Sequence, residues 1–114
     1  MPKQLNQIIG AFILRNEGEG CLTSKYHHGD SLDCPFTESC KLTTALNPND
    51  VFIGTYRTVW LEDTTHVVAE LTIRRHPRNN NIFELIWRNN NNPAPVFEGT
   101  AMNVDNLLVG TYWD

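Results

Sequence analysis

The segment from Val96 to Trp113 constrains the fold more than any other part of the chain, because Asp105-Asn106 divides it into two matched halves. Asp and Asn tolerate the left-handed backbone that a tight two-residue hairpin turn requires. Folding on those two residues sets Val104 opposite Leu107 and Met102 opposite Val109 on one face. The other face sets Ala101 opposite Gly110 and Gly99 opposite Tyr112. One face is a continuous apolar stripe, and the other combines missing side chains with an aromatic ring. A ribbon of this kind belongs to a folded antiparallel sheet with a core.

The same two-residue period recurs upstream. Gly10 to Arg15 is a short apolar run ended by Asn16-Glu17-Gly18-Glu19-Gly20, and Cys21 to His28 returns with Leu22, Ser24, Tyr26 and His28 on one face. Val51 to Leu61 sets Phe52, Gly54, Tyr56, Thr58 and Trp60 against Ile53, Thr55, Arg57, Val59 and Leu61. After Glu62-Asp63, Val67, Ala69, Leu71 and Ile73 form the clearest apolar face of the chain. A turn over His76 to Asn81 leads to Ile82–Arg88, with Phe83, Leu85 and Trp87 together, and a loop over Asn89 to Pro95 precedes the final hairpin. Between Gly29 and Asp50 the period dissolves. A helical turn over Pro35 to Cys40 is expected there, inside an irregular loop or lid of about 29–50.

These segments predict an all-β single domain over 1–114, an antiparallel meander of about seven strands. Seven short strands must hide their edges, and closure into a small barrel does so most simply. Glycines 54, 99 and 110 inside strand patterns allow the required bending. A two-sheet sandwich is the alternative.

The Gly-Thr-Tyr at 54–56, the Gly-Thr-Tyr-Trp at 110–113 and the aromatic-rich meander between them resemble the calycin superfamily, which includes lipocalins, fatty-acid-binding proteins and avidins. The resemblance covers Val51 to Trp113, and the strand count falls one short of the eight usual in that group. It implies an up-and-down, calycin-like barrel whose mouth takes a small molecule.

Composition narrows the partners. A net charge of -4 with only nine Lys and Arg argues against nucleic acid, which demands clustered cations. The one basic cluster, Arg74-Arg75-His76-Pro77-Arg78, reads as a hairpin tip. No apolar run approaches the roughly 18 residues of a membrane helix, and no signal-peptide pattern opens the chain, so no membrane partner and a cytoplasmic location are expected.

The candidate ligand-binding residues are Tyr56, Thr58, Trp60, Trp87 and Tyr112. Flat apolar rings with one polar edge suit an organic ligand, and the same rings equally suit a barrel core. With Tyr56, Thr58 and Trp60 on one face and Arg57 on the other, the aromatic face is expected to point inward. Cys21, Cys34 and Cys40 with His27 and His28 are donors enough for zinc, but C-x12-C and C-x5-C match no common ligand spacing, so no metal is expected. Reduced thiols are expected, against a Cys34–Cys40 disulfide. Glu70 and Glu84 share their faces with Val68, Thr72, Arg74 and Arg88, which predicts a solvent face with cross-strand ion pairs, Glu84 beside Arg74 or Arg88.

The leading expectation is a barrel that binds a small apolar or aromatic molecule in its interior without catalysis and without a cofactor. A homo-oligomeric interaction module, such as a homodimer, is the second reading. A small enzyme using His27, His28, Asp30 and Cys34 in the His27–Cys40 loop is the third, with base, orienter and thiol drawn from that stretch.

Overall fold

The computed structural model describes residues 8–28, 31–62, 64–89 and 95–114. Eight strands follow one another in chain order: β1 (Ile8–Gly18), β2 (Cys21–His28), β3 (Ser31–Leu42), β4 (Gly54–Glu62), β5 (Thr65–His76), β6 (Asn79–Asn89), β7 (Pro95–Val104) and β8 (Leu107–Trp113). Each is antiparallel to the next, and β1 also pairs with β8, which closes a barrel of radius 9 Å. One ring of strands replaces the sandwich alternative, and the described residues include no helix.

The final hairpin forms on Asp105 and Asn106, with φ of 52° and 66°. The register has Val104 opposite Leu107, Met102 opposite Val109 and Gly99 opposite Tyr112. The inward face, however, is the one with the missing side chains. Ala101, Leu108 and Tyr112 are buried, whereas Met102 is 57% and Val104 44% exposed. Geometry explains the choice. An eight-stranded barrel is just wide enough for side chains to fill it, and neighbouring large rings already occupy this sector. A Cβ on Gly110 would stand 2.0 Å from the Thr100 carbonyl oxygen, so the strands meet there only because the position is glycine.

The expected irregular region is largely a strand. β3 occupies residues 31–42, so neither the helical turn over Pro35 to Cys40 nor an irregular stretch across 31–42 is present, while residues 29 and 30 lie outside the described residues. Glu38 and Cys40 face inward from it while Thr37 and Lys41 are exposed. β3 is the eighth strand.

The irregular remainder, residues 43–53, folds across one end of the barrel. Phe52 is buried there and meets Phe83 edge-on at 6.5 Å. The Tyr56 hydroxyl donates to the Phe52 carbonyl at 2.9 Å and contacts that of Val51 at 3.3 Å. Arg75 Nε reaches Asp50 at 2.8 Å and its guanidinium lies 4.9 Å from the Phe83 ring centroid. These contacts plug the end at which β1, β5 and β7 finish. Leu14, Leu22, Leu71, Ile73, Leu85 and Leu108 fill the barrel behind the plug, each contributing about 1.5–3 kcal/mol on removal from water.

Candidate functional site

Beyond that aliphatic layer the interior becomes aromatic. Strands β4, β6 and β8 run away from the plug and carry Trp60, Trp87 and Tyr112 near their far ends. β2, running the same way, brings Tyr26, and β7 brings Phe97 near its start. The rings touch in sequence. Phe12 meets Trp87 edge-on at 5.9 Å, Trp87 meets Tyr112 at 6.2 Å, and Tyr112 meets Phe97 at 5.7 Å with perpendicular planes. Trp60 extends the cluster to Phe97 at 6.3 Å, and Tyr26 approaches Tyr112 at 6.1 Å. Edge-to-face contacts of this kind contribute about 0.5–1.5 kcal/mol each beyond buried area.

A carboxyl group lies against this cluster. Glu38, only 5% exposed, faces the interior from β3. The Thr58 hydroxyl and the Trp87 indole both donate to its Oε2, the latter at 2.9 Å. The Cys40 thiol donates in turn to the Thr58 oxygen at 3.4 Å. Thiol, hydroxyl, carboxyl and indole thus form one buried chain in which each donor polarises the next. Burial raises the Glu38 carboxyl above its usual range, while the bonds from Thr58 and Trp87 act in the opposite direction. Burial, then the nearby Glu38, also pushes the Cys40 thiol up. Tyr112 is pushed up to about 12 by burial first and by Glu38 second. A buried carboxyl with raised proton affinity beside neutral donors can hold a proton or serve as a hydrogen-bonding anchor.

One further polar atom belongs here. Ser24 on β2 is directly opposite Glu38 in the β2–β3 register, is 1% exposed, and its Oγ has no hydrogen-bond partner.

All five residues expected to line a ligand face the interior. Thr58 and Trp87 converge on Glu38, and Trp87, Tyr112 and Trp60 belong to the ring cluster. Tyr56 is set apart, its hydroxyl committed to the plug, and burial followed by Cys40 and Asp50 pushes it to about 12. Trp113, opposite Glu98 in the register, is half-buried. Arg57 is exposed and stands in register with Glu70, which faces Arg88. Arg74 pairs with Glu84 at 3.5 Å, as the outer-face alternation predicts.

Glu38 itself escaped the sequence reading. Its signal was the alternation of Phe36, Glu38, Cys40 and Leu42 against Thr37, Ser39 and Lys41, obscured because a carboxylate marks a position as outward.

The other candidates separate. His27 is exposed and His28, its face shared with Tyr26, stacks on Phe36 at 5.2 Å. Alternation therefore splits the two imidazoles between faces. Asp30 and the Cys34 side chain lie outside the described residues. Cys21 and Cys40 are free thiols, which excludes a Cys34–Cys40 disulfide. Among the described residues no three His, Cys, Asp or Glu side chains gather as metal ligands. No protein-family model, curated protein or solved structure matches the chain.

Proposed function

We propose that the protein is a calycin-like barrel that binds a small, largely aromatic molecule in its interior, at the end opposite Phe52, without chemical conversion. The observation that carries this reading is the segregation of the lumen. Aliphatic side chains with Phe52, Phe83 and Tyr56 fill one end, whereas Trp60, Trp87, Phe97 and Tyr112 collect at the other beside a buried carboxyl group. Rings with polar edges provide apolar burial together with a few orienting hydrogen bonds, the usual composition of a small-molecule site.

The test is native mass spectrometry of the purified chain, followed by titration with the neutral fluorophore N-phenyl-1-naphthylamine. A co-purified small molecule, or saturable enhancement of the fluorophore that Trp60→Ala weakens at least fivefold, is expected. Absence of both would overturn the reading.

A homo-oligomeric module is the second reading, and one observation favours it. Ile13, Val109, Met102 and Ile82 stand side by side across four strands on the outer wall, with Ile13 45% exposed. Light scattering decides this directly: a stable dimer supports it, and a strict monomer at high concentration rejects it.

A further inference from the structure

We propose that Ser24 and Glu38 form the polar subsite of the barrel, and that it takes a protonated nitrogen carried by a small aromatic ligand. This inference rests on the interior-binding reading above and adds the chemical class of the ligand.

Ser24 holds unused bonding capacity inside the barrel. A buried hydroxyl without a partner loses its bonds to water and gains none in return, so the Ser24 Oγ calls for an occupant. Ser24 and Glu38 are cross-strand partners on the same interior face, which places their Cβ atoms about 5 Å apart. A serine hydroxyl offers two acceptor lone pairs and an ionised carboxylate about four, of which Thr58 and Trp87 use two at Oε2. Two acceptors at that spacing match a group with several N–H donors. The surrounding rings of Phe12, Trp87 and Tyr112 add cation–π attraction for the same charge.

Anionic ligands fit poorly. Among the described residues Glu38 is the one buried charged side chain. Among the described residues, the titratable groups sharing the interior with it are Cys40 on β3, Tyr56 on β4, Tyr26 on β2 and Tyr112 on β8, and none of these carries positive charge in either protonation state. Among the described residues, the base on that face of β2 is His28, two positions beyond Tyr26 and stacked on Phe36.

Proton balance gives the subsite its own signature. Burial raises the proton affinity of Glu38, and where the group is protonated the two donors on Oε2 leave that proton to Oε1. When an ammonium binds, that proton leaves to solvent, and the N–H donors take its place on the carboxylate. Binding therefore releases up to one proton per ligand, and the release declines as pH rises and Glu38 ionises beforehand.

The experiment compares 2-phenylethylamine with propylbenzene, in which a methyl group replaces the amine. Binding is followed through the tryptophan indole N–H resonances in two-dimensional NMR, and proton release by calorimetry in buffers of different ionisation enthalpy. The amine is expected to bind at least tenfold tighter than propylbenzene and to release protons. Glu38→Gln should abolish the advantage and the release while leaving propylbenzene binding within twofold. Ser24→Ala, a smaller change that keeps Glu38, should weaken the amine about threefold to tenfold and leave propylbenzene unaffected. Saturable binding of both probes with equal affinity would overturn the nitrogen subsite and leave interior binding standing. Failure of both probes to saturate would overturn both proposals.

Discussion

Glu38 is held in the barrel by two donors, yet removal from water raises its proton affinity above that of an exposed carboxyl. The folded chain therefore keeps the proton over a pH range in which the unfolded chain, with an ordinary value of 4.5, has lost it. Stability from this group is full below that value and declines as pH rises through the folded-state value. Glu38→Gln should flatten this part of the pH profile. It should also stabilise the protein near pH 8, by about 1–3 kcal/mol, the usual scale for an imperfectly compensated buried polar group. Urea midpoints between pH 4 and 8 measure both effects, and parallel profiles for the two proteins would refute the account. The turn residue Asn106 gives a second test. Its left-handed backbone is poorly tolerated by a β-branched side chain, so Asn106→Val should lower stability by about 1–2 kcal/mol, read from thermal melts.

At the level of strands, the packing of β7 on β8 shows what a narrow lumen demands. Gly99 and Gly110 let backbone and rings approach where a methyl group has no space. Gly110→Ala should lower stability by about 1–3 kcal/mol, as overpacking does, with the loss visible in the urea midpoint. The end plug allows a sharper comparison. Phe52→Ala removes a buried ring and should lower stability by about 3–5 kcal/mol. Asp50→Ala removes the contact to Arg75, whose side chain is 43% exposed, and should lower it by no more than about 1 kcal/mol. Equal losses from the two variants, measured by denaturant unfolding, would show that the ion pair and not the ring holds the plug.

The same strands show which parts of the architecture were legible in sequence. Where outward positions are charged or polar, as along Val67 to Arg74, period two identifies the strand and its inner face together. In the last hairpin the turn chemistry fixed the register, but the two-residue period did not decide which face points inward. Met102 and Val109 are larger and more apolar than Ala101 and Gly110, and only the limited radius of a closed ring selects the smaller set. β3 was hidden by the very residues that make the interior chemically distinctive. A buried acid and a buried thiol, preceded by Cys34-Pro35, read as loop until neighbouring strands provide their partners. The aromatic part of the candidate site and Thr58 were therefore visible, whereas Glu38 and Cys40 were not.

Across the molecule, the outer wall has two characters. Arg57, Glu70 and Arg88 form a charged ladder over β4, β5 and β6, with Arg74 and Glu84 beside it. The wall over β1, β8 and β7 carries Ile13, Val109 and Met102 instead. Met102→Lys should leave folding intact, because the side chain is already largely exposed. It should dissociate any assembly that light scattering detects for the parent; persistence of that assembly would place its interface elsewhere.

The seam between β1 and β8 has a consequence for synthesis. Seven of the eight pairings join neighbours in the chain and can form as each stave leaves the ribosome. The eighth joins the first stave to the last, so the hoop stays unsealed until Leu107–Trp113 emerges. Until then β1 and β7 each present a bare rim of backbone donors and acceptors, the kind of edge that recruits foreign strands. Protection from that hazard rests on the promptness with which one seven-residue segment docks.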